Sequence, residues 1–193
     1  MDLIEVINQI DIDLFLYLNG QHNEVFDPIM EWVTHSKSWL PLYIAIIGSI
    51  IYKYKKAGVI VIASILLTIG FADQVSSRII KPLVSRSRPC DNLSINKVIH
   101  GRQECTGQKG FFSSHASNTF ALAGMLTLLF YKNEKWVLVF YLWAAIVSYS
   151  RIYLGLHYPG DIIAGAIFGI GSAYLALYLL RKYFPAILQE VQS

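Results

Sequence analysis

The chain has 193 residues, enough for one domain. It is 54% hydrophobic and only 15% charged, against about a quarter charged in a typical soluble domain. With a mean hydropathy of +0.45, lipid rather than water is the expected solvent. The net charge of +3 is mild, and basic residues are not interleaved with aromatics, which argues against a nucleic-acid partner.

In chain order, residues 1–35 mix apolar positions (Ile4, Val6, Ile7, Ile10, Ile12, Leu14, Phe15, Leu18) with Glu5, Asp11 and Asp13. This pattern predicts one or two amphipathic helices lying along the membrane interface. Asn19-Gly20 marks a break and Asp27-Pro28 a helix start. The N-terminus is acidic, with no basic region and no small-residue cleavage site, so no cleavable signal peptide is expected.

Five longer apolar runs follow, at about 39–54, 57–80, 111–131, 136–153 and 162–180. A span needs about 20 residues, so the first would have to begin near Lys37. Gly165, Gly169 and Gly171 in the last run suit close helix packing in lipid. The expected fold is an all-α membrane bundle of five or six transmembrane helices. It comprises an N-terminal amphipathic segment (residues 1–35), a membrane domain (36–185) and a short C-terminal tail (186–193).

Loop parity puts Lys53, Lys55, Lys56, Lys132, Lys135, Arg181 and Lys182 on one side, and the 81–110 loop with the 152–160 turn on the other. Counts of Lys and Arg tie between the two sides, so the positive-inside rule does not choose. Cys90 and Cys105, both in the 81–110 loop, form a candidate disulfide. Such a bridge would be worth roughly 3 kcal/mol in the chain-entropy picture and requires an oxidising compartment. It favours an extracytoplasmic loop, with two unrelated thiols as the alternative.

Charged and imidazole side chains cluster where the apolar runs end, the place where charge is least expected without a function. Lys81 and Arg88 close the second run. Arg offers a planar fork to phosphate oxygens and Lys a compact point charge. Ser113, Ser114 and His115 open the third run, where a serine N-cap and free backbone N–H groups favour an anion. Arg151 closes the fourth run and Asp161 opens the fifth. His157 stands four residues before Asp161, a spacing that lets a carboxylate fix an imidazole tautomer. Each feature also has an ordinary structural reading; all falling on one side points to phosphate chemistry at a membrane surface. No Asp/Glu/His cluster indicates a metal, and no cofactor is expected.

Lys81 through Arg88-Pro89, then Ser113 and His115, then Ser150-Arg151 through His157 and Asp161 resemble the K-x6-R-P, P-S-G-H and S-R-x5-H-x3-D motifs of the type 2 phosphatidic acid phosphatases (PAP2). The resemblance spans about residues 70–175. It departs at Phe112 and Ser114, where the family has Pro and Gly. It implies a metal-independent, two-step hydrolysis. His157 would be the nucleophile forming a phosphohistidine, Asp161 its orienting partner and His115 the acid and then base. Lys81, Arg88, Ser113, Ser114 and Arg151 would form the phosphate cradle. The implied partner is a membrane lipid phosphate, with undecaprenyl diphosphate the first expectation and phosphatidate, phosphatidylglycerol phosphate or lipid A phosphate as rivals. A lipid phosphotransferase or a non-catalytic lipid-binding protein are the other readings. The oligomeric state is not legible in the sequence. The expected location is the cell membrane, with the site facing the periplasm or cell exterior.

Overall fold

The computed structural model describes residues 2–100 and 109–192, and the described residues contain helices and turns but no strand. Helix α1 (Leu3–Asn19) starts where the Glu5 side chain accepts a hydrogen bond from the Asp2 backbone N–H at 2.9 Å, and ends at Gly20. Its polarity is inverted for a water-soluble helix. Leu3, Ile7, Ile10, Leu14 and Tyr17 are exposed along one stripe, while Asp11, Phe15 and Asn19 turn toward the protein. Periodic apolar residues facing outward are the pattern expected of a helix lying at a membrane interface.

Helix α2 (Phe26–Thr34) begins beside Asp27-Pro28, as expected. Both N-terminal helices are pinned to the bundle by buried polar contacts. The Asn19 side-chain amide donates to the carbonyls of Ile152 and Tyr153 at 3.1 and 2.9 Å, satisfying groups at a helix end. The Tyr153 hydroxyl donates to Asp27 at 2.7 Å.

A 3-10 turn (Ser36–Trp39) leads into α3 (Leu40–Gln74), so the helical path begins near Lys37 as the length of the first run requires. Lys55 breaks α3 with left-handed backbone (φ 46°, ψ −116°). The helix folds back there into two arms: Ile46 and Ile50 of the first line the same cavity as Ile65 and Ile69 of the second. These arms are the first two apolar runs.

The second arm continues through a π-helical segment (Val75–Ile80) into α4 (Lys81–Val84), ending at Ser85 in the left-handed region (φ 51°). Pro82 stands in this path, although proline disfavours continuation of a regular helix. The path passes through it because the residue sits in the first turn of α4, where its missing N–H costs least, after a widened turn. A 3-10 turn (Pro89–Asp91) follows. Cys90 is disulfide-bonded; Cys105, its expected partner, lies outside the described residues.

Helix α5 (Ser114–Phe130) is the central element, packed by α3, α6 (Val139–Tyr153) and most extensively α7 (Pro159–Tyr183). Glycine makes the last contact possible. A Cβ at Gly165 would lie 2.6 Å from the Ser113 carbonyl oxygen, and one at Gly169 would collide with the Ser117 carbonyl. Gly171, grouped with them in the sequence, faces open space. The C-terminal residues form α8 (Pro185–Gln192), which buries Leu188 and Val191 and donates from Gln192 to the Leu128 carbonyl at 3.0 Å.

Three helical stretches among the described residues are long and apolar enough to cross a membrane: Ser36–Asp91, which contains the hairpin, Lys135–Tyr153 and Pro159–Tyr183. At one end of the bundle, Lys53 pairs with Glu134 at 3.0 Å, bringing the hairpin turn beside the α5–α6 connection. The phosphate-type residues gather at the other end, as loop parity predicts.

Candidate active site

Three hydrogen bonds tie the three motif segments together. The Gly110 N–H donates to the Arg86 carbonyl at 2.7 Å, the Ser113 N–H to the Asp161 carbonyl at 3.1 Å, and the Lys81 ammonium to the Ser114 hydroxyl at 3.0 Å. Ser113 is fully buried and caps α5, its hydroxyl accepting from the Ala116 N–H at 3.4 Å. Its side chain therefore shapes the turn. Ser114, at the family's glycine position, holds the hydroxyl near Lys81 and also Ser76, 3.0 Å away. Phe112, at the proline position, is buried against Phe168 with ring centroids 5.0 Å apart.

Lys81, Arg88 and Arg151 lie within mutual electrostatic reach. Arg88 and Arg151 are only 7% and 8% exposed. Arg151 donates from Nη1 to the Thr34 hydroxyl at 2.6 Å, yet among the described residues the buried Nε atoms of both arginines have no hydrogen-bond partner. Like charges with orphaned donors are costly in a buried site. An anion binding there offsets both costs at once.

His157 sits in the tight turn between α6 and α7, 2% exposed. Its Nδ1 is 3.3 Å from Oδ2 of the fully buried Asp161, which also accepts from the Tyr158 N–H at 3.1 Å. The carboxylate thus engages one imidazole nitrogen and leaves Nε2 for chemistry. Burial pushes His157 down to about 4. Asp161 pulls it upward and Arg151 and Arg88 push it further down. The ring is therefore neutral near pH 7, the form a nitrogen nucleophile requires.

His115, in the first turn of α5, is within electrostatic reach of Arg151, His157 and Lys81. It opens onto a cavity of about 450 Å³. Beside His115 the wall is polar, with Thr34, Asp73 and Asn118; beyond, Ile46, Ile65 and Leu122 make it apolar. Asn118 donates to Asp73 at 3.1 Å.

Every residue predicted for the site from the sequence, outside the cysteine pair, falls at this end of the bundle. Sequence reasoning missed Arg86, whose guanidinium donates to Asp161 Oδ1 at 2.8 Å and to Asp11 at 2.7 Å. It also missed Asp73, although an acidic residue inside an apolar run was a usable signal.

Comparison with known proteins gives the family and the fold. The family model described as the PAP2 superfamily matches residues 57–185. The chain is 38% identical over 93% of its length to a lipid A 4'-phosphatase of Bacteroides thetaiotaomicron, covering 81% of that protein. It is 31% identical over 93% of its length to a lipid A 4'-phosphatase of Porphyromonas gingivalis, covering 77% of it. Its fold resembles that of a transmembrane PAP2-type phosphatidylglycerolphosphate phosphatase from Bacillus subtilis, with a TM-score of 0.71 at 20% identity, over 92% of this chain and 88% of the other.

Proposed function

The chain belongs to the PAP2 superfamily, and from that premise we propose which lipid it serves and how its residues divide the work. As a member it is a multi-pass membrane phosphatase acting on lipid phosphates. The proposed substrate is the 4'-phosphate of lipid A or a close glycolipid phosphate. Two relatives that match 93% of the chain carry that activity, which moves lipid A ahead of the undecaprenyl diphosphate expected from the sequence. The cavity beside His115 supports the same choice. Asp73 and Asn118 at its polar end suit the hydroxyls and amides of an acylated sugar, and its apolar wall suits acyl chains. A polyprenyl diphosphate has no hydroxyl or amide to use that pair.

The observation that carries the chemistry is the convergence of buried Arg88 and Arg151, each with an Nε that has no partner among the described residues, on the site of His157. In the proposed reaction, Nε2 of His157 forms a bond to phosphorus. The phosphorus–oxygen bond to the sugar breaks, and His115 donates a proton to the departing oxygen. The resulting phosphoimidazolium is stabilised by Asp161. Water then attacks phosphorus, giving its proton to His115, and the P–N bond electrons return to His157. Lys81, Arg88 and Arg151 hold the equatorial oxygens throughout, with Ser114 orienting Lys81 and Ser113 fixing the α5 turn.

The proposed membrane topology has five crossings: the two arms of α3, then α5, α6 and α7, with residues 1–35 at the interface. A disulfide-bonded Cys90, which requires an oxidising compartment, supports a site facing away from the cytoplasm.

The test uses purified full-length protein in detergent. It is offered bis-phosphorylated lipid A, undecaprenyl diphosphate, phosphatidate and phosphatidylglycerol phosphate, with free phosphate measured and the lipid A product mapped by mass spectrometry. The expected result is highest kcat/KM on lipid A with loss at the 4' position. Preference for undecaprenyl diphosphate would overturn the substrate; release of phosphate from none would overturn the function.

A further inference from the structure

We propose that the N-terminal helix is a working part of the site, Asp11 acting through Arg86 as a positioning pair for Asp161 and the His157 turn. The inference rests on the reading of His157 as the nucleophile.

Asp161 has two oxygens with separate duties. Oδ2 faces His157 Nδ1 and the Tyr158 N–H, and Oδ1 accepts from Arg86 Nη1 at 2.8 Å. Arg86 reaches the other way with Nη2, to Asp11 Oδ2 at 2.7 Å and Asn8 Oδ1 at 3.0 Å. Its guanidinium lies over the Tyr158 ring, 4.2 Å from the centroid. Asp11 closes the circuit, because its Oδ1 accepts from the Gly160 N–H at 2.7 Å. One α1 carboxylate therefore holds both the arginine that engages Asp161 and the backbone preceding Asp161. The group is shielded from water: the side chains of Asp11, Arg86 and Asp161 are 12%, 20% and 0% exposed.

The charges explain why a second carboxylate is useful. Arg86 alone would neutralise Asp161, leaving little net negative charge to face a cationic phosphoimidazolium. With Asp11 included, two carboxylates share one guanidinium and the group keeps a net negative charge. The added cation on His157 then completes its neutralisation. A purely structural ion pair would need neither the second acid nor its bond to the catalytic turn. Because the opposite face of α1 is the exposed apolar stripe, catalytic geometry is coupled to seating of this helix in the lipid interface.

The experiment compares full-length wild type, Asp11→Asn, Asp11→Glu and, as control, Asp13→Asn, whose residue is exposed on the same helix. kcat and KM are measured on the lipid phosphate that wild type hydrolyses best. The His157 titration is followed by NMR with labelled histidine, Asp161, Arg88, Arg151 and His115 being the titratable and charged groups that act on it. Asp11→Asn should lower kcat about 10-fold or more, the scale for losing an outer partner of a catalytic group. KM should change less than about 2-fold, since the substrate's phosphate ligands are untouched. The His157 titration should move to lower pH, Asp11→Glu should restore part of kcat, and Asp13→Asn should match wild type. Wild-type kcat and an unmoved titration in folded Asp11→Asn would overturn the proposal, as would a kcat loss that only tracks a lower melting temperature. Wild type inert on every lipid phosphate would instead overturn the functional reading, while the titration arm still tests the Asp11–Arg86 link.

Discussion

The Lys81 ammonium donates to the Ser114 hydroxyl at 3.0 Å, joining the first residue of the first motif to a residue at which the second departs from its family. Ser76 lies 3.0 Å from the same hydroxyl, so Lys81 is held at the site before substrate arrives. Restoring the family residue with Ser114→Gly removes this anchor but no catalytic group. One hydrogen bond to a charged group is worth about 1.5 kcal/mol. The expected outcome is KM raised about 10-fold with kcat nearly unchanged, read by steady-state kinetics. A collapse of kcat would mean the hydroxyl touches the transferring phosphate.

The pH behaviour of His157 follows from its burial. Its folded value of about 4 lies below the ordinary histidine value of 6.5. Between those limits the unfolded chain takes up a proton that the folded protein does not. This residue's contribution to stability is therefore complete above about pH 6.5 and declines as pH falls toward 4. Histidine-selective NMR should show the His157 ring neutral at pH 5.5. In Asp161→Asn the titration should fall further, because Asp161 is the influence that raises it. A wild-type midpoint near 6.5 would contradict the buried geometry.

The α5–α7 contact gives a matched pair. A Cβ at Gly169 meets the Ser117 carbonyl, whereas Gly171 has nothing within 4 Å. Gly169→Ala should cost about 1–3 kcal/mol or more by forcing the helices apart. Gly171→Ala should be neutral or slightly stabilising through higher helix propensity. Thermal unfolding in detergent measures both.

The cationic cradle predicts a particular inhibitor profile. Vanadate, which mimics a five-coordinate phosphorus centre, should inhibit, while EDTA should leave hydrolysis intact. Arg151→Lys should weaken vanadate inhibition by about 10-fold or more, because a point charge cannot replace the fork that reaches both Thr34 and the site. Abolition of activity by EDTA would contradict the assignment of charge stabilisation to these side chains.

Much of this was legible in the sequence because it depends on local order. The apolar runs gave the helices, Ser113 before a long run read as an N-cap, and the four-residue step from His157 to Asp161 placed them together. What was not legible depends on distant partners. Arg86 meets Asp161 across 75 positions, and Gly160 meets Asp11 across 149. Nothing in the spacing of those residues announces the meeting. The passage of the helix through Pro82 is hidden from the sequence for a related reason. Proline's local rule concerns a regular α-helix, and the π-helical turn before it changed the frame in which the rule applies. Asn19 likewise looked like a simple break, although its amide satisfies the end of α6 from 133 positions away.

The most direct test of the account is phosphate release from bis-phosphorylated lipid A by wild type and by His157→Ala, purified side by side and checked for equal folding. The account predicts turnover by wild type and a loss of more than about a thousandfold in the variant, since His157 is the assigned nucleophile. Activity in His157→Ala within about tenfold of wild type would contradict the assignment of His157 as the nucleophile.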